Sequence, residues 1–536
     1  MAWPDDPLPA MQSEVHFGGR RMRCFVDRPS DVWRMFAAAV ARHPDGDALI
    51  DGHRSLSYRQ LADRVEHVAT GLVRLGISAG DRIALLLGNR PEFLIALLAA
   101  VRLGAIVVPL STREQTTGLR YMLAHSGARL VLHEAELADR LPAAAELLEL
   151  RHRLTVGGPV DGALAFEDLP GAAEAPPPHR SDEESTAVIL YTCGTTGRPK
   201  GAMLTHLNLA HSVMHYALTM GLSAGERSVL AVPATHVTGL VAILLTMVHV
   251  AGATVLMPAF RARRFLELAA RERITHTLMV PAMYNLCLLE PDFAAFDLAA
   301  WRIGAYGGAP MPEATIARLG ETRPGLRLMN VYGATETTSP TTLMPAHHTR
   351  GRSDSVGLAV PCGEVRIMDE TGRELPPGAP GEVWIGGPMV VPGYWREPET
   401  TDASFASGFW RSGDIGALDQ QGYLRVFDRL KDMINRAGFK VYSPEVENVL
   451  CRHPGVIEAA VVARPDPVLG EKIQAFVRPR EPSIAADDLR AFCARELADY
   501  KVPDFITLCT EPLPRNANGK LIKSALREGA LEKAKA

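Results

Sequence analysis

A chain of 536 residues is too long for one hydrophobic core, and its length corresponds to about three or four domain-sized units. Apolar residues at 47% and charged residues at 22% are ordinary for a globular protein, and a formal net charge of −4 gives no reason to expect nucleic acid or an anionic membrane as partner. Seven cysteines (Cys24, Cys193, Cys287, Cys362, Cys451, Cys493, Cys509) are odd in number, scattered and without a CxxC pair, which suggests neither a disulfide framework nor a zinc site and fits a reducing cytoplasm.

The opening segment MAWPDDPLPAMQSEVHFGGRRMR has no apolar core of the kind a secretory signal needs. Further on, Ser57 and Gln60 form a capping-box pattern ahead of an apolar-periodic run that stops at Gly76. RIALLL (Arg82 to Leu87) then has the pattern of a buried strand, Glu92 to Leu103 of a helix, and AIVVPL (Ala105 to Leu110) of the next strand. Such a βαβ unit implies parallel strands with helices outside, and the pattern recurs at Thr186 to Tyr191, Thr254 to Pro258 and Thr277 to Val280. Gly171 to Glu184, rich in Pro, Ala and acidic residues, is expected to be an exposed loop. Leu240 to Met257 carries no formal charge, but Thr246, His249, Gly252 and Thr254 interrupt it. A buried helix followed by a buried strand fits it better than a membrane span.

After Gly357 the texture changes to short segments (EVRIMD, GEVWIGG, GYLRVFD) between Gly/Pro turns, which predicts a small β-rich subdomain. From Ser443 another α/β piece follows, with IEAAVVAR and KIQAFVRP as strands and Asp487 to Leu497 as a helix. The expected fold class is therefore α/β: a large N-terminal domain of layered α/β subdomains plus the β-rich subdomain over residues 1–428, joined at 429–431 to a small α+β domain over 432–536.

YTCGTTGRPKG (Tyr191 to Gly201) follows the strand-like run TAVIL and precedes THLNLAH, where a helix could open at Thr205. Gly194 and Gly197 let backbone N–H groups approach an anion, while Thr192, Thr195 and Thr196 add hydroxyl donors and Lys200 a point charge. This is the chemistry of a phosphate-cradling loop, although no GxxxxGK[ST] string occurs in the chain. VYGATET (Val331 to Thr337) carries Glu336, a hard oxygen ligand suited to Mg²⁺. AYGGAP (Ala305 to Pro310) has Gly307 and Gly308, where absent side chains leave room for a planar group. WRSGD (Trp410 to Asp414), DRLKD (Asp428 to Asp432) and PRNANGK (Pro514 to Lys520) follow in that order.

The ordered set resembles the adenylate-forming superfamily of acyl-CoA synthetases, aryl-CoA ligases, luciferases and peptide-synthetase adenylation domains, over roughly Trp33 to Lys523. The resemblance implies an AMP-forming ligase using ATP, Mg²⁺ and coenzyme A, with Lys520, Glu336 and Thr195 as catalytic residues. It places the glycine-threonine loop on the β/γ-phosphates, Thr335 on the α-phosphate and Tyr332 on adenine, with Gly307, Gly308, Ala309, Gly333 and Ala334 completing the nucleotide site. Asp414 and Arg429 match its ribose contacts, and Lys520 the lysine that bridges carboxylate and α-phosphate, where negative charge accumulates in the transition state. Cys193 stands where the family usually has serine, exchanging a hydroxyl donor for a weak thiol. Lys431 matches the family's hinge, about which the small domain would turn to offer Arg436, Ala437, Gly438, Phe439 and Lys440 to coenzyme A.

His236, Val237, Gly239, Tyr284, Tyr306, Gly307, Ser339 and Pro340 match the family's acyl site. No Lys or Arg occurs in Ser228 to Phe260, Met279 to Asp297 or Thr335 to Ala346, so a second carboxylate on the substrate would lie unpaired at a cost of several kcal/mol. The expected acid is a monocarboxylate with an alkyl, alicyclic or aryl body. The alternatives are an adenylation enzyme serving a carrier protein, and a nucleotide-binding regulatory module without catalysis; homodimerisation stays open.

Overall fold

The computed structural model describes residues 8–170, 177–192, 198–481, 484–515 and 521–528. Two compact units form, one from Met1–Val365 and Ile385–Trp410, the other from Arg366–Trp384 and Arg411–Ala536. The expected hinge at 429–431 thus falls inside the sequence of the second unit.

In the first unit, a nine-stranded sheet carries the parallel strands Arg227–Leu230, Ala253–Leu256, His276–Met279, Ile303–Gly307 and Arg327–Tyr332. All five run the same way, so the segments that follow them emerge at one edge. A seven-stranded sheet holds the predicted βαβ unit, with Arg82–Leu86 parallel to Ile106–Pro109 and the helix Pro91–Arg102 between them in sequence. Ten of that helix's twelve residues are buried, as a helix apolar on every face requires.

Local signals are realised closely. The Ser57 hydroxyl accepts from the Gln60 amide and the Gln60 side chain accepts from the Ser57 amide, which starts the helix Tyr58–Arg74. The apolar stretch after Leu240 is a buried π-helix, Thr238–Leu245, then a short α-helix, Thr246–Val250, and the strand Ala253–Leu256. Among the described residues no helix is long and apolar enough to cross a membrane.

The helix expected to open at Thr205 does so: Thr205 caps the helix His206–Met220, and ahead of it Lys200–Thr205 is a strand returning antiparallel to Thr186–Thr192, with Lys200 opposite Thr192. Of the expected loop 171–184, the described part has no helix or strand and is exposed at 177–180. Glu183 and Glu184 bind Arg28 and His16 at 2.9 and 2.8 Å, and His16 belongs to an N-terminal hairpin, Met11–His16 with Arg20–Phe25.

The second unit has the sheet of Ile434–Arg436, Phe439–Val441, Val456–Asp466, Gly470–Pro479 and Phe505–Leu508, and the helices Ser443–Arg452 and Ala486–Glu496. It also holds the pairing of Asp414–Leu418 with Leu424–Arg429. Asp428 is buried there and accepts from both the amide and the hydroxyl of Ser443, at 2.7 and 2.8 Å.

Candidate active site

The parallel sheet of the first unit brings three candidate segments to one edge. Ile303–Gly307 and Arg327–Tyr332 are paired neighbours, so Gly308 and Ala309 emerge beside Gly333 and Ala334. Two strands further along, Arg227–Leu230 delivers the segment that carries His236 and Val237. Ligands of open α/β sheets bind at such carboxyl ends, where loops diverge and backbone groups lack ladder partners. Gly308, Ala309 and Gly333 are exposed at this edge, while Thr335 and Glu336 turn inward and are buried. Glycine is required at 307, where a Cβ would stand 2.4 Å from the Val331 carbonyl oxygen, and at 239, where it would stand 2.2 Å from the Pro233 oxygen.

After Glu336 the backbone is strained. Thr338 and Ser339 both adopt left-handed φ, +48° and +37°, at about 1–3 kcal/mol each for residues with a Cβ. Local bonds hold them there: the Thr338 and Ser339 amides donate to the Thr335 and Ala334 carbonyls, and the Tyr216 hydroxyl meets the Ser339 hydroxyl at 2.7 Å. Tyr216 is fully buried, so this contact fixes a candidate acyl-site residue from the core side.

Glu336 is 9% exposed and accepts a hydrogen bond at 2.9 Å on Oε1 from the Tyr394 hydroxyl. Burial, and then the negative charge of Glu336, push the ionisation of that phenol upward, so it remains a donor. The Tyr394 ring also lies 5.2 Å from the Lys200 ammonium. This meeting follows from backbone pairing: the Met203 amide donates to Gly393, the Trp395 amide to Gly201 and the Val391 amide to Glu336. The segment Pro388 to Trp395 is gripped further by Asn208 Nδ2 on the Pro388 and Val390 carbonyls, and by Arg20 on Val391 and Pro392. The Glu336 carboxylate is a hard oxygen donor of the type that suits Mg²⁺, so the residue present fits that ion.

Asn89 was not singled out in the sequence. Its buried amide donates towards the carbonyls of Leu230, Val232 and Met257, each at 3.0 Å, and accepts from the Ala234 amide at 2.8 Å. It ties the segment bearing His236 to two strand ends. Tyr394 and Asn89 carry no local motif signal, since both act on residues more than fifty positions away.

Tyr284 and Tyr306 belong to a buried core cluster, and the Tyr284 hydroxyl is taken up by Thr277 at 3.0 Å and the Ala305 carbonyl at 2.8 Å. The Tyr284 ring stacks on Trp301. His236 is half-buried, with Nδ1 3.1 Å from the Thr238 hydroxyl. Cys193, Gly194, Thr195, Thr196, Gly197 and Lys520 lie outside the described residues.

In the second unit, Asp414 and Arg429 face each other across paired strands, with Arg429 Nε 3.4 Å from Asp414 Oδ1. Arg429 is 57% exposed, leaving most of its guanidinium open to a ligand. Lys431 is exposed in the turn that follows. Arg436 is bonded to Asp504 at 2.6 Å and to the Tyr500 carbonyl at 2.9 Å. The hairpin tip beyond it is accessible: Ala437 and Gly438 take φ of +50° and +90°, and Phe439 and Lys440 are exposed.

The chain matches the model of the AMP-binding enzyme family over residues 36–395 and that of the AMP-binding enzyme C-terminal domain over residues 445–520. It is 35% identical to a feruloyl-CoA synthase of Amycolatopsis sp, over 90% of this chain and 96% of that protein. It is 33% identical to a long-chain-fatty-acid–CoA ligase of Mycobacterium tuberculosis, over 88% and 93%. Its fold superposes on the o-succinylbenzoate CoA synthetase of Bacillus subtilis in complex with the acyl-adenylate intermediate OSB-AMP, with a TM-score of 0.83, 28% identity and coverage of 94% and 99%. With family models spanning both ends and relatives alike along nine tenths of its length, the chain belongs to the AMP-binding enzyme family.

Proposed function

We propose that this chain is an ATP-dependent, AMP-forming acid–CoA ligase whose acid is a monocarboxylate with an apolar body. The observation that carries the reading is the arrangement at the sheet edge: exposed Gly308, Ala309 and Gly333, with Tyr394 touching Glu336 through its hydroxyl and Lys200 through its ring. In the first step a carboxylate oxygen attacks the α-phosphorus of ATP and pyrophosphate leaves. In the second, the coenzyme A thiol attacks the acyl carbonyl, loses its proton and expels AMP.

Lys200, Thr192, Thr195 and Thr196 bind the phosphates, Tyr332 packs on adenine, Thr335 donates to the α-phosphate, and Asp414 and Arg429 take the ribose. Lys520 brings the two anions together, where a preorganised positive charge acts most strongly on the transition state. Glu336 would hold Mg²⁺, which would supply charge neutralisation of the phosphates. The turn at Lys431 is the hinge, and the exposed tip Ala437 to Lys440 is the face offered to coenzyme A. A cytoplasmic setting follows from these substrates and from the scattered cysteines.

For the acid, support comes from the buried apolar π-helix Thr238–Leu245 and from the absence of Lys and Arg in the three segments around His236, Tyr284 and Ser339. Feruloyl and long-chain fatty acyl groups, named for the two relatives, are likewise monocarboxylates with apolar bodies. Pyrophosphate release across a panel of acids, with and without coenzyme A, tests the reading. Apolar monocarboxylates should give release and, with coenzyme A, a thioester. Preference for a short dicarboxylate, or an adenylate that coenzyme A never discharges, would overturn it.

A further inference from the structure

Between the two charged groups of the first unit's site stands one neutral side chain. Tyr394 is 5% exposed, and its hydroxyl holds Glu336 Oε1 at 2.9 Å while its ring lies 5.2 Å from Lys200 Nζ. Its backbone has little freedom: its amide donates to the Thr401 hydroxyl at 3.0 Å, and it bridges to Ala202 on the returning strand of the phosphate hairpin. Gly393 beside it is packed against Thr401, where a Cβ would come within 2.4 Å of the Thr401 methyl.

We propose that Tyr394 is the positioning residue of the adenylation step, one side chain that orients both the Glu336 carboxylate and the Lys200 ammonium towards the nucleotide. This rests on the reading of Glu336 as the Mg²⁺-holding residue and of Lys200 as a phosphate contact. The chemistry suits the task. A phenol fixes a carboxylate rotamer by one hydrogen bond while adding no charge, so the carboxylate keeps its full attraction for a cation. An aromatic face attracts an ammonium without consuming any of its three N–H donors, whereas an acidic partner would compete with the phosphates.

The test is a binding experiment, separate from turnover. Calorimetry of α,β-methylene-ATP with wild-type protein, in Mg²⁺ and in EDTA, gives the factor by which the metal tightens the nucleotide. Glu336→Gln should remove most of that factor. Tyr394→Phe, which keeps the ring, should reduce it by roughly tenfold, as loss of a hydrogen bond to a charged group allows, and should add nothing in the Glu336→Gln background. Tyr394→Leu should reduce it equally and also weaken nucleotide binding in EDTA by about two- to fivefold. Lys200→Met should reproduce that second effect and not add to it, which keeps the ring's role testable if Tyr394→Leu does not fold. A wild-type Mg²⁺ factor in Tyr394→Phe, with the factor lost in Glu336→Gln, overturns the positioning role and leaves the role of Glu336 standing. A wild-type factor in Glu336→Gln overturns both.

Discussion

Replacing Asn89 with alanine removes four polar contacts at the junction of three strand ends. The Nδ2 group has two protons for the Leu230, Val232 and Met257 carbonyls, so two full bonds are donated, and Oδ1 accepts a third from Ala234. At about 1 kcal/mol net for each bond, the segment Ala231 to Val237 should lose about 3 kcal/mol of local stability. That is roughly a hundredfold in the opening equilibrium. Hydrogen–deuterium exchange reads this directly: protection of the Ala234 amide should fall by about two decades in Asn89→Ala. The KM for the acid should rise with it, because His236 and Val237 ride on the loosened segment. Asn89→Asp is the sharper variant, since it keeps the shape and the acceptor but turns an oxygen towards three carbonyls; it should be at least as damaging. Unchanged protection at Ala234 together with an unchanged acid KM in both variants would refute the view that Asn89 tethers the site.

Gly307→Ala drives a methyl to 2.4 Å from the Val331 backbone oxygen, which no rotamer can relieve, so thermal unfolding should show about 1–3 kcal/mol of destabilisation; an unchanged midpoint would contradict the close strand approach. Burial pushes His206, His211 and His276 down to about 4, so the folded state keeps them neutral while the unfolded chain protonates them. Their contribution is present above about pH 6.5 and is lost as pH falls towards 4, on the order of 3 kcal/mol each at the limit, and a melting midpoint that holds steady from pH 7 to 5 would count against it. Lys431→Pro fixes φ and restricts Leu430, so pyrophosphate should still appear in a burst while thioester formation falls steeply; normal thioester turnover in a folded variant would place the hinge elsewhere.

What the sequence determined by itself is what short spacing controls. Ser57 with Gln60, the apolar runs at Arg82 to Leu87 and Ala105 to Leu110, and the helix-to-strand change after Leu240 all depend on neighbours within a few residues. The ordered motifs likewise singled out Glu336, Asp414 and Arg429 by residue type and order alone. The tertiary structure decided which side chains meet. Tyr284 and Tyr306 sit beside site segments in sequence yet point into the core, since the face of a strand or helix that turns inward is set by the layer packed upon it. Arg436 meets Asp504 only because the sheet brings it there across 68 positions. Lys200–Thr205 becomes a strand because it pairs with Thr186–Thr192 on one side and Gly393–Trp395 on the other. Tyr394 and Asn89 gain their roles only from that convergence, because a hydrogen bond between distant residues leaves no periodicity in a single chain.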